Sequence, residues 1–222
     1  DSSGDIHKFT MGLAKACVRR GATLKFNAPV ERLSSEAGRV RVTTDEAEMF
    51  DAVVVSAGVQ SRAFAQQLGD HVNIYPVKGY SITVALEDAD SRAAAPWISL
   101  LDDRAKIVAS RFGENRFRIA GTAEFNGVNR DIRADRIRPL VKWCEQHFPG
   151  VSTESVTPWA GLRPMMPSMM PRVGRGSAPG VYYNTGHGHL GWTLSAATAQ
   201  IISGQLVGAL NPTAKTAPAR AA

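Results

Sequence analysis

What most limits how this chain can fold is a long stretch near its end that carries no charge. From Gly176 to Ala214 there is no Asp, Glu, Lys or Arg. Val181 to Asn184 reads there as a short strand, Gly186-His187-Gly188-His189-Leu190-Gly191 as a turn, and Trp192 to Leu210 as a helix. Nineteen uncharged residues in that helix approach the length of a membrane span. Thr193, Ser195, Thr198, Gln200, Ser203 and Gln205 argue instead for a helix buried in protein. The turn spells G-x-G-x-x-G between strand and helix, the written form of a dinucleotide fingerprint. That fingerprint also needs a βαβ crossover and an acidic residue about 20 positions on. Here the helix runs into Asn211-Pro212 with neither. What remains is the backbone chemistry: glycines admit a ligand to the main chain, and N–H groups at a helix start attract negative charge.

The rest of the composition is that of a globular protein. With 222 residues, 44% hydrophobic and 21% charged, the chain can bury a real core as one large domain or two small ones. The formal charge of +6 invites a nucleic-acid reading. The arginines are scattered, however, apart from Arg19-Arg20 and the set Arg130, Arg133, Arg136 and Arg138, which reads as a solvated helix face. No nucleic-acid partner is expected. Cys17 and Cys144 fall in amphipathic helical patterns and read as small buried hydrophobes, which favours the cytoplasm. No acid or cysteine cluster accompanies His187 and His189, so no metal site is expected. The chain starts with Asp1 and shows no signal peptide, like the middle of a longer protein.

Taken in order, Ile6 to Arg20 follows helical spacing and Gly21 stops it. Thr23 to Phe26 and Pro29 to Leu33 read as short strands, and Val40–Thr44 with Ala47–Phe50 as a hairpin. The β-branched run in Asp51 to Gly58 reads as a central parallel strand covered on both faces, with a helix over Ser61–Leu68 after it. Val77–Leu86, Trp97–Leu101, Lys106–Phe112 and Arg116–Phe125 read as an antiparallel sheet, and Ile132–Phe148 as an amphipathic helix. Arg163 stands alone on an apolar strand and needs an anionic partner, either a ligand or an internal acid such as Glu154. Tyr80, after Gly79, is either a phenol on a pocket wall or core packing, and Lys78 reads as a strand-edge charge.

Four segments in this order carry a resemblance: Asp51 to Gly58, Tyr75 to Thr83, Trp159 to Pro164, and Gly186 to Thr193. Together they resemble flavin-dependent amine oxidoreductases of the D-amino-acid oxidase superfamily, and Gly4 to Phe9 is similar to that family's middle. The likeness covers nearly the whole chain but only the C-terminal half or so of the family. The N-terminal strand–glycine loop–helix that cradles the FAD pyrophosphate has no counterpart here. The family's Thr-Pro-Asp-Gly-like turn is replaced by Met165-Met-Pro-Ser-Met-Met-Pro171.

The resemblance implies an α/β (α+β) fold: part of a doubly wound FAD-binding domain (1–74 and 155–211) with an inserted, mostly antiparallel substrate domain (75–154). A disordered tail, 212–222, would follow. It implies FAD as cofactor and a D-amino acid as substrate, deaminated oxidatively by hydride transfer from Cα to flavin N5. Arg163 would grip the substrate carboxylate, and Tyr80 would bind substrate beside it. Val30, Ala57, Gly58, Gly186, His187, Gly188, His189, Leu190, Gly191, Trp192 and Thr193 would meet the cofactor. No side chain is expected to act as acid, base or nucleophile. The implied partners are a missing N-terminal half or complementing chain and, in the dehydrogenase branch, a quinone at the cytoplasmic face of a membrane. Two alternatives stay open: an oxidase of glycine, sarcosine or imino acids, and a non-catalytic fragment.

Overall fold

The structure is a computed structural model and describes residues 4–211; the expected tail lies outside them. In chain order the elements begin with α1 (Ile6–Arg19), β1 (Arg32–Glu36), β2 (Arg39–Thr43), β3 (Ala47–Phe50), β4 (Val53–Val55) and α2 (Ser61–Gln67). Next come β5 (Tyr75–Ala85), α3 (Ala89–Ala94), β6 (Leu100–Asp102), β7 (Ile107–Phe112), β8 (Arg116–Phe125) and α4 (Ala134–His147). The chain closes with β9 (Val156–Met165), β10 (Arg172–Arg175), β11 (Val181–Thr185) and α5 (Gly191–Leu210). They group into two compact units, residues 1–24 with 76–162, and 25–75 with 163–222.

The first unit is built on a five-stranded sheet in the order β6-β7-β8-β5-β9. Alternation along β7 and β8 sends Ile107, Ala109, Phe117 and Ile119 to one face. There they pack with Ile82, Val84 and with Leu140, Trp143 and Cys144 of α4. Burying these side chains contributes on the order of 1.5–3 kcal/mol for each large aliphatic or aromatic residue. Asp102 fixes α4 further by accepting from Trp143 Nε1 at 2.8 Å. Helix α1 starts at a proper cap, Asp5 accepting from the His7 and Lys8 amides. None of its residues is buried, and Ile6, Phe9, Leu13 and Val18 are each about half exposed.

The second unit holds the antiparallel β1-β2-β3 sheet and a sheet in the order β10-β11-β4, where β11 and β4 run parallel. Its core is Leu33, Val40, Val55, Ala65, Leu68, Val72, Ile74, Val181 and Tyr183. Asp70 ties it together by accepting from Tyr183 Oη at 2.8 Å and from the Ser177 amide.

Several expectations change. β4 is parallel, as its β-branched run implies, but among the described residues it is an edge strand with only Val55 buried. Thr23–Phe26 is not a strand, and Phe26 is 75% exposed. Helix α5 buries only Thr198 and Ile202, so its uncharged sequence is not enclosed by the described residues. The short helix α3 was not expected, although Asp88 is an ordinary N-cap for it, accepting from the Ser91 amide at 2.6 Å. Strand β9 is one ten-residue strand joined to the five-stranded sheet, so the units divide at Leu162/Arg163 and not at 155.

Candidate functional site

Two groups of residues carry chemistry, one in each unit. In the second unit, β4 and β11 lie side by side and parallel with Val55 opposite Tyr183. Their carboxyl ends therefore open on the same edge, where α/β sheets bind ligands. A glycine in the left-handed region follows each strand: Gly58 at φ +56° after β4, and Gly186 at +79° with Gly188 at +58° after β11. Hydroxyls link the two loops. Thr185 Oγ1 donates to Ser61 Oγ at 2.8 Å, and Ser61 Oγ accepts from the Ala57 amide at 3.0 Å. A Cβ on Gly58 would meet nothing within 4 Å, so its backbone lies open.

The glycine turn is pinned where it leaves β11. The Gly188 amide donates to Pro164 O at 3.0 Å. A Cβ on Gly186 would stand 2.7 Å from Met166 Cγ, and one on Gly188 2.7 Å from Met165 Sδ. The methionines that replace the family's usual turn therefore pack directly on the glycines. His187 is partly buried with Nε2 3.1 Å from Thr198 Oγ1. That burial lowers its pKa, so the imidazole is neutral near pH 7. His189, Leu190, Trp192 and Thr193 face solvent. Helix α5 begins at Gly191 with no side-chain cap and no acid in its first turn. Its positive dipole end is thus not neutralised by the protein's own side chains. Ala57 is exposed, as is Val30, which precedes β1; Gln67 of α2 holds that entry by bonding Glu31 O and the Leu33 amide.

Arg163, on β9 and next to Pro164, is partly buried, and that desolvation alone lowers its pKa. A guanidinium stays protonated regardless. Among the described residues it has no acidic partner, and the exposed Glu154 does not pair with it. The second unit thus carries an uncompensated planar cation, Arg163, whose next residue, Pro164, pins the glycine turn that holds a neutral histidine and runs into an open helix start. These features fit the electron-rich edge of a flavin ring: accessible backbone, a positive dipole end and no competing carboxylate.

The first unit holds Tyr80, placed otherwise than expected. It is 1% exposed, and its hydroxyl donates to Glu124 Oε2 at 2.6 Å, so it is not an open pocket wall. Lys78 is not an edge charge either, because β5 lies between β8 and β9 and Lys78 is fully buried. Its ammonium reaches Glu124 Oε2 at 2.9 Å, Asn129 Oδ1 at 2.9 Å and Asp131 O at 3.1 Å. Arg133 meets Glu124 Oε1 at 2.8 Å. Bonds from Tyr80 and then Lys78 hold the Glu124 carboxyl down at about 2. The sequence held one sign of this cluster: Lys78 and Glu124 each interrupt an apolar run, and they face each other across β5 and β8.

Comparison with known proteins bears on the family. The family model for FAD dependent oxidoreductases matches residues 2–205. D-amino acid dehydrogenase 3 of Mesorhizobium japonicum is 60% identical over 91% of this chain and 50% of its own length. The D-amino acid dehydrogenase of Paramagnetospirillum magneticum is 39% identical over 91% of the chain and 48% of its own. Among solved structures, glycine oxidase from Geobacillus kaustophilus is similar with a TM-score of 0.77 at 21% identity, over 93% of this chain and 57% of that one. At that identity the likeness speaks for the fold. The chain spans about half the length of the curated relatives it matches. With the family model running over nearly all of its residues, the chain belongs to the FAD-dependent oxidoreductases.

Proposed function

We propose that this chain is the portion of a D-amino acid dehydrogenase that grips the substrate and supports the flavin ring. The observation that carries the reading is Arg163, a partly buried guanidinium with no acid of its own, whose next residue, Pro164, accepts from the glycine turn. Its flat two-pronged donor suits a carboxylate. The backbone of Ala57-Gly58 and of Gly186 to Thr193 would hold the cofactor. The start of α5 favours negative charge on the ring edge nearest it. FAD, when bound, supplies the acceptor for the hydride leaving the substrate Cα. Arg163 fixes the carboxylate and so orients that Cα, and the resulting imine hydrolyses in water to a 2-oxo acid and ammonia. The similar proteins are named dehydrogenases, which supports an acceptor other than oxygen; a quinone, and with it a peripheral site at the cytoplasmic membrane face, rests on the family resemblance alone. No helix among the described residues is long and apolar enough to cross a membrane. Steady peroxide release with substrate would point to an oxidase instead.

The test is Arg163→Lys in a flavin-loaded enzyme completed with the N-terminal half of the 60% identical relative. Lysine keeps the charge and loses the fork. Flavin content should not change, while kcat/KM for a D-amino acid falls by roughly two to three powers of ten, because charged hydrogen bonds contribute about 1.5–3 kcal/mol and misalignment adds to that. An amine lacking the carboxylate should be nearly indifferent. If both substrates respond alike, Arg163 is not the anchor.

A further inference from the structure

The five-stranded sheet buries one face beneath α4 and leaves the other partly open, with Val108 42% and Trp159 53% exposed and Ser81 buried. Cross-strand register places Val108, Ala120 and Ser81 in one row of that open face, and Ser110, Arg118 and Thr83 in the next. Arg118 is partly buried, and desolvation lowers its pKa. Its guanidinium carbon lies 5.2 Å from the Trp159 ring centre. It has no hydrogen bond or ion pair among the described residues. The contrast with Arg111, two strands from β5 in the same sheet, is direct. That guanidinium donates to the carbonyls of Arg92, Ala95, Gly113 and Glu114, which is how a structural arginine is satisfied here. Arg118 has only an aromatic face, with every N–H left for a ligand.

The surroundings are built around it. Trp159 folds over Gly161, where a Cβ would come 2.1 Å from the indole, and stays 53% exposed. Ser81 is 1% exposed, and its Oγ has no partner. Arg116, two residues before Arg118 on β8, is paired with Asp5 at 3.0 Å. The uncompensated Arg118 guanidinium between hydroxyl side chains, beside Val108 and an indole, matches one carboxylate on a short hydrocarbon body.

We propose that Arg118, stacked on Trp159 and flanked by Thr83 and Ser110, anchors a carboxylate-binding subsite on the open face of the five-stranded sheet. The carboxylate belongs either to a free short-chain acid or to the side chain of an acidic amino acid.

The test needs neither flavin nor turnover, so its outcome is independent of the Arg163 reading. Butyrate is titrated into the chain while its four indole N–H resonances are followed by NMR. One resonance should shift with saturation, the one that Trp159→Phe removes. Arg118→Met should weaken butyrate by about ten- to a hundredfold, with Arg118→Lys between the two. D-glutamate displacing butyrate where D-alanine does not assigns the carboxylate to a side chain; displacement by neither assigns it to a free acid. Should Arg118→Met fail to fold, the parent spectrum still decides. No saturable shift, or a shift of a different indole, overturns the proposal, as does unchanged affinity in a folded Arg118→Met.

Discussion

A carboxylate held far below its usual pKa can be a structural pin or a surface accident, and burial decides which. Glu36 and Glu124 are both held at about 2, the first by bonds from Arg41 and Ser34, the second by bonds from Tyr80 and Lys78. Glu36 has a side chain 43% exposed, so water and salt screen its pair. Glu124, at 6%, faces a fully buried ammonium. A carboxyl whose folded pKa lies below its ordinary 4.5 adds stability above pH 4.5 and loses it as pH falls toward 2. The unfolding midpoint of the parent should therefore drop across that window. Glu124→Gln should remove much of the drop, and near neutral pH it should destabilise the chain far more than Glu36→Gln, because Lys78 is left buried without its counter-charge. Equal midpoints for the two variants would refute the ranking. Legibility followed the same division. Arg163 could be singled out in the sequence because a lone charge on an apolar strand demands a partner. Lys78 could not, because its partners Glu124, Asn129 and Asp131 are brought to it only by the β5–β8 register and the loop after β8.

Among the elements, those with a strict period were readable and those shaped by neighbours were not. β7 and β8 followed alternation, and α4 its helical spacing. The edge position of β4 and the exposure of α5 depend on what lies against them, which no local pattern encodes. The glycine turn was legible as backbone freedom, and its geometry now ranks its members. Gly58→Ala meets only the strain of φ +56°, about 1–2 kcal/mol. Gly186→Ala meets similar strain at φ +79° and a Cβ 2.7 Å from Met166 Cγ, a flexible side chain that can shift. Gly186→Ala should therefore be the more destabilising in chemical denaturation, and Met166→Ala should narrow the gap between them. Gly58→Asn should be milder than Gly58→Ala, since asparagine tolerates the left-handed region better. An order reversed in either comparison would show that the turn is not held as described.

For the whole molecule, the decisive quantity is the apolar surface that α1 and α5 leave exposed. The chain covers 50% of its 60% identical relative. On α1, Ile6, Phe9, Leu13 and Val18 are each about half exposed, and on α5 so are Ile201, Val207 and Leu210. Both helices have the sequence of packed elements, and the described residues leave these side chains about half exposed. The residues fitted to the cofactor are assigned to its ring, which leaves the pyrophosphate, its most highly charged part, without an assigned seat. A helix N-terminus is the usual seat for such an anion. We expect the chain alone to bind FAD at least about a hundredfold more weakly than a version extended by the relative's N-terminal half, a difference of roughly 2.7 kcal/mol. Fluorescence quenching measures both affinities. A hydrophobic dye should bind the chain alone and be largely excluded from the extended form, because the same addition that seats the pyrophosphate would cover α1 and α5. If FAD binds both forms equally, the ring-facing turn suffices by itself. If affinity rises while the dye still binds, the added half seats the pyrophosphate without packing on these helices.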